Sequence, residues 1–176
     1  AALLGHVRHA DRRNGLDIDK VAPDQAATEN RLRAVVDDVA RALHLDPELH
    51  EAALSACRVE QYAPGEYLGR AGAVPSAVSY LVEGAARLTA PTPRGEVACG
   101  DLRDGEFVGT AAVTREPALV TAVATASTTV LVLPAELIAR IIRAHPVFAS
   151  ELGAALEWRR AQAGRAAGGR AGVAPV

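Results

Sequence analysis

Between Tyr62 and Leu133 the chain is cut into short apolar runs by Gly and Pro at close intervals. Ala63-Pro64-Gly65-Glu66, Val82-Glu83-Gly84 and Arg103-Asp104-Gly105-Glu106-Phe107-Val108-Gly109 are such breaks. Many short strands at this spacing predict a small sandwich, roll or barrel. We place strands near 57–62, 66–70, 78–82, 85–90, 95–102, 119–126 and 129–133. Gly65 and Gly84 supply turns between them.

Helical patterns flank this region. Leu32, Val35, Val36, Val39 and Leu43 fall at i, i+3, i+4, i+7 and i+11, a one-faced amphipathic helix that Thr28 can cap. Asp46-Pro47 starts a second helix, running to about Ala56. Pro134 opens a third, carrying Leu137, Ile138, Ile141 and Ile142, and His145-Pro146 breaks it. The last helix aligns Phe148, Leu152, Ala155 and Leu156 on one face. The fold class is α+β: an antiparallel β-roll, jelly-roll-like, flanked by N-terminal helices and two C-terminal helices. Upstream, residues 2–13 suit a short helix stopped by Asn14-Gly15, and Leu16-Asp17-Ile18 a short strand. The expected division is 1–18 as the end of a preceding domain, 19–30 as linker, 31–163 as the main domain and 164–176 as a disordered tail. The absence of Met, even at position 1, fits a processed terminus or a segment cut from a longer protein.

Composition narrows the function classes. A chain of 176 residues can bury a sizeable core, built here mainly from Ala, Val, Leu and Ile because aromatics are scarce. A net charge of −2 gives no global pull toward nucleic acid. Four arginines between Arg159 and Arg170 read as a solvated basic tail. No apolar run approaches the length of a bilayer span, and no signal peptide is visible. Cys57 and Cys99 read as buried thiols of a reducing compartment rather than a zinc site or a disulfide.

Catalytic constellations are missing. His6 and His9 lie three apart without a third ligand, and His44, His50 and His145 are isolated at helix ends or loops. Ser79 and Ser127 have no His nearby in sequence, and Lys20 is the only lysine. A β-roll metal enzyme needs two or three His on its strands, and this roll has none between His50 and His145. The reading is therefore not an enzyme. The strongest candidate site is Gly105–Ala126. A turn at Gly109 entering a short helix through Thr110 and Ala111 can offer backbone N–H groups to an anion. An ordinary turn over a buried short helix is the competing interpretation.

The order of these features resembles the cyclic-nucleotide-binding domain family over about residues 45–160. Tyr62-Ala63-Pro64-Gly65-Glu66 resembles its opening strand and Pro-Gly-Glu turn. Ser79-Tyr80-Leu81-Val82-Glu83-Gly84 resembles its Tyr-hydrophobic-hydrophobic-x-Gly strand, and Asp104–Gly109 the run entering its phosphate-binding cassette. The resemblance implies a ligand-sensing regulatory domain, with cyclic AMP or cyclic GMP as the ligand class. It also implies a Gly-Glu pair for the ribose hydroxyl and an Arg for the cyclic phosphate. This chain keeps Gly109, puts Thr110 in the Glu slot, and puts Ala118, Leu119 or Val120 in the Arg slot. Losing that charge-assisted contact costs on the order of 2–5 kcal/mol. Arg115, several positions early, is the nearest substitute. The candidate ligand-binding residues are thus Gly109, Thr110, Ala111, Arg115, Leu119, Val120 and Thr121, around a degenerate cassette whose pocket is filled or takes another ligand.

His6 through Ile18 loosely resembles the closing helix and exit strand of the soluble domain in small-conductance mechanosensitive channels. That resemblance implies a membrane-channel parent, with this domain on the cytoplasmic side of the membrane. The alternatives are the regulatory domain of a transcription factor, or a constitutive assembly module without ligand that sets a homo-oligomer. Nucleic acid is not an expected partner. Leu152, Leu156 and Trp158 are the residues set against docking, with core packing the competing role for the two leucines.

Overall fold

A computed structural model describes residues 21–168. Helix α1 spans Val21–Ala42 and α2 spans Pro47–Ala56. Eight strands follow: β1 Arg58–Tyr62, β2 Tyr67–Gly69, β3 Ala77–Glu83, β4 Ala85–Thr92, β5 Gly95–Arg103, β6 Phe107–Val108, β7 Thr121–Ala124 and β8 Thr128–Pro134. A 3-10 turn, Thr110–Ala112, separates β6 from β7. Helices α3, Ala135–Ala144, and α4, Pro146–Gly168, close the chain. Two antiparallel four-stranded sheets result, in the orders β1-β8-β3-β6 and β2-β7-β4-β5. This is the α+β roll read from the sequence.

Strand β8 shows why the roll has two cores. It is buried along nearly its whole length, and it pairs with β1 on one side and β3 on the other. Pleating sends alternate side chains to opposite faces. Leu131 and Leu133 therefore join Val36, Val39, Leu49, Ile138 and Ile141 beneath the helices. Val130 and Val132 join Leu81, Leu88, Leu102 and Ala122 inside the roll. Full burial of such side chains contributes roughly 1.5–3 kcal/mol each. The inner cluster holds the two sheets together; the outer one fixes the helices against the first sheet.

The helix signals act as read at Asp46, whose carboxylate accepts from the Leu49 N–H at 2.9 Å, with Pro47 in the first turn. His50 Nε2 lies 2.7 Å from Asp37 Oδ1 and ties α2 to α1. Four expectations change. The segment from Val21 onward, read as linker, is already α1, so Thr28 lies inside the helix rather than at its cap. Strand β6 is an additional short strand, paired through Ser79–Val108 and Tyr80–Phe107. Helix α4 continues through Gly168, past the start of the expected tail. Both cysteines are free. Cys57 is buried, which pushes its thiol pKa up to about 12 against a weaker opposing effect of Arg58. Cys99 is only partly buried, on β5, contrary to the expectation of two buried thiols. The helix, the His6/His9 pair and the strand read within residues 1–18 lie outside the described residues.

Candidate functional site

Strand β6 ends at Val108, and Gly109 turns the chain with φ 74°. A Cβ there would sit 2.8 Å from the Ala77 carbonyl oxygen, so both the backbone conformation and the space require glycine. The turn Thr110–Ala112 follows, closed by Ala112 N–H to Gly109 O at 2.9 Å. The chain then runs beside the Arg70–Ala73 turn. Gly72 N donates to Ala118 O, and Ala118 N to Ala73 O, each at 2.8 Å.

This turn forms one wall of a cavity of about 600 Å³. Its inner surface comes from both sheets, through residues such as Leu88, Val108, Ala122 and Val132, and its remaining side from α4 through Leu156, Arg159 and Arg160. Its volume lies within the roughly 300–1,000 Å³ typical of small-ligand sites. Gly109, Thr110, Ala111, Leu119 and Val120 line it as read from the sequence. The cavity is open, so of the two expectations, a filled pocket and a pocket for another ligand, the first is not met.

Two candidates do not fit the sequence reading. Arg115 is exposed, has a left-handed φ of 57° and does not line the cavity, because it sits at the outer bend of the loop after the 3-10 turn. Thr121 is buried, its hydroxyl accepts from Ala71 N at 3.1 Å, and it lines a separate recess on the far side of the Arg70–Gly72 turn.

The cation comes instead from α4. Arg159 is only 7% exposed. Its Nη1 donates to Thr110 Oγ1 at 2.6 Å, and its Nη2 donates to the Phe107 carbonyl. Burial lowers its pKa to about 10, and the negative charge of Glu106 opposes that shift. Among the described residues no carboxylate pairs directly with it. A buried guanidinium left this way is costly, and an arriving anion relieves the cost. The solvated tail expected from Arg159 onward therefore fails at its first residue.

Other charges around the cavity are partly matched. Arg160 bonds Glu116 and Glu157, each at 2.8 Å. Arg58 Nε donates to Glu60 Oε1 at 2.7 Å, and Tyr62 OH to Glu60 Oε2 at 2.6 Å. The Arg70 guanidinium lies over the Tyr67 ring, 3.6 Å from its centroid. The cavity thus carries four arginines (Arg58, Arg70, Arg159, Arg160) against two glutamates (Glu60, Glu116). Its charge balance favours an anionic ligand. No cluster of three metal-ligating side chains occurs among the described residues.

The family model for the cyclic nucleotide-binding domain matches residues 59–145. No curated protein matches the chain. Among solved structures, the chain is similar to the catabolite activator protein of Thermus thermophilus, with 29% identity and a TM-score of 0.56. That match covers 68% of this chain and 57% of the other. The sensor domain of the transcriptional regulator DNR from Pseudomonas aeruginosa shares 22% identity at TM-score 0.55, covering 65% of this chain and 79% of that one. The regulatory domain of Toxoplasma gondii PKA, solved with cAMP, shares 18% identity at TM-score 0.60, covering 73% and 51%. These last two matches bear on fold alone. The chain spans little more than half of the Thermus and Toxoplasma structures. Through residues 59–145 the chain belongs to the cyclic nucleotide-binding domain family.

Proposed function

We propose that this domain senses a cyclic nucleotide in the cavity between the sheets and α4, and that Arg159 meets its phosphate. The carrying observation is the buried Arg159 guanidinium at Thr110, facing a cavity whose own cassette lacks an arginine. The Arg slot on the loop holds Ala118, Leu119 or Val120, none of which can pair with phosphate. A guanidinium delivered by the closing helix supplies the charge from the opposite wall. Ligand and helix position are then coupled, because the phosphate competes with Thr110 and Phe107 for the same donors. A ligand shifts the helix only as far as it binds the two positions unequally.

A second reading follows from the same contacts. Arg159 already donates to Thr110 and Phe107 without ligand, so α4 can serve as a permanent latch in an assembly module. Melting curves with cyclic AMP and cyclic GMP separate the two. The sensor reading predicts a melting temperature that rises with ligand concentration, by mass action. A melting temperature unchanged at millimolar concentrations of both ligands contradicts it and favours the latch.

The parent is proposed as a multidomain regulator in which this domain controls a separate output. The transcription regulators and the kinase regulatory domain compared above are consistent with that kind of parent. They lend no support to a membrane channel, nor to a place at the cytoplasmic face of a membrane. No helix among the described residues is long and apolar enough to cross a membrane.

A further inference from the structure

Strand β1 turns Val59 toward the core beneath the helices and Arg58, Glu60 and Tyr62 toward the cavity. The cassette accounts for none of these three polar groups. Glu60 sits between the other two, and each of its oxygens accepts one hydrogen bond, from Arg58 Nε and from Tyr62 OH. Both donors are two residues away on the same strand, so the pleat fixes the carboxylate in the cavity wall. Burial pushes the Glu60 pKa up, but the hydrogen bonds from Tyr62 and Arg58 outweigh it and hold the group below the usual carboxylate range. Glu60 is therefore ionised at neutral pH and can only accept.

A carboxylate can accept about four hydrogen bonds, two per oxygen. One on each oxygen is taken by Arg58 and Tyr62. What remains is one acceptor position on each oxygen. Its complement is a ligand edge with two adjacent donors. Guanine has one, the N1–H beside the exocyclic 2-amino group. Adenine offers its amino group beside the N1 lone pair, which faces a carboxylate oxygen repulsively. The ribose of a 3′,5′-cyclic nucleotide keeps a single free hydroxyl, which is one donor and not two.

We propose that Glu60 is the specificity-determining residue of this cavity and reads the guanine edge, so that a guanine nucleotide is the preferred ligand. The inference rests on the cyclic-nucleotide reading above. It places the phosphate at Arg159 and the base at β1, two parts of one cavity lined by both residues. A site built around acceptors disfavours a ligand that lacks the matching donors, because the acceptors are then left facing a lone pair.

The test is a titration series on the full chain with cyclic GMP, cyclic IMP, cyclic AMP and 2′-deoxy cyclic GMP. Cyclic IMP keeps the N1–H and lacks the amino group. The expected order is cyclic GMP tightest, cyclic IMP intermediate and cyclic AMP weakest, with cyclic GMP ahead of cyclic AMP by about tenfold or more. The deoxy compound is expected to match cyclic GMP, and Glu60→Gln to remove the preference while still binding. Cyclic AMP binding as tightly as cyclic GMP overturns the role of Glu60 and leaves the sensor reading standing. A preference that survives in Glu60→Gln, or is lost in the deoxy compound, also overturns it. Absence of binding by all four overturns both readings. The wild-type order does not depend on how well the variant folds.

Discussion

Arg159 comes seven residues after Leu152 and three after Leu156, on the face of α4 that turns toward the roll. That spacing was the available signal for it, since i, i+4 and i+7 share one side of a helix. Composition hid it: an Ala-Gly-Arg stretch reads as solvated tail, and the partner Thr110 lies 49 positions away in sequence. Local reading served better at Gly109, Thr110 and Ala111, because a left-handed turn leaves a glycine behind it. Arg115 is near the arginine slot in sequence only, and the loop carries it outward. Gly109→Ala is expected to cost about 1–2 kcal/mol for the left-handed backbone alone, and more for the approach to Ala77 O. Urea unfolding measures it. A loss below a few tenths of a kcal/mol would show that the turn relaxes freely.

Helix α4 is held differently along its length. Its root is in the core: Phe148 is buried and meets Phe107 edge-on at 5.6 Å, and Phe107 meets Tyr80 at 5.1 Å. Leu152 is buried too, so its role is packing rather than docking. Leu156 borders the cavity. Farther on, the helix rests on Arg159, on the exposed and water-screened Arg160–Glu116 pair, and on Trp158, which lies over Gly100 of β5. A Cβ on Gly100 would fall 2.6 Å from the Trp158 ring, so the missing side chain is what lets the indole settle there. Trp158 is the only tryptophan and is still 41% exposed. Its emission therefore reports the outer half of α4. Ligand that draws Arg159 off Thr110 is expected to shift that emission, with the change saturating alongside binding. Emission that stays fixed at saturating ligand would mean α4 does not move. The amphipathic face of this helix was legible from Phe148, Leu152 and Leu156; which contacts lock it was not, because they come from β5, β6 and the cassette.

At the scale of the molecule, the roll was legible because Gly and Pro punctuation and alternating apolar runs are local signals. Seven of the eight strands lie close to where this punctuation predicts them. The short β6 was not, since two residues carry no periodicity and pair only because β3 lies beside them. The state of the cavity was not legible either. It depends on how two sheets and α4 meet, and the apolar run Ala118-Leu119-Val120, which suits either a filled pocket or another ligand, lies along one side. The central proposal is a family fold that lacks its cassette arginine and keeps an anion site by taking the charge from its closing helix. The most direct test is isothermal titration of cyclic GMP and cyclic AMP into the wild-type chain, Arg159→Ala and Arg115→Ala. The account predicts binding of similar affinity by wild type and Arg115→Ala, and a loss of about 2–5 kcal/mol, thirtyfold or more in Kd, for Arg159→Ala. Equal affinity in Arg159→Ala and wild type, or a loss confined to Arg115→Ala, would contradict it.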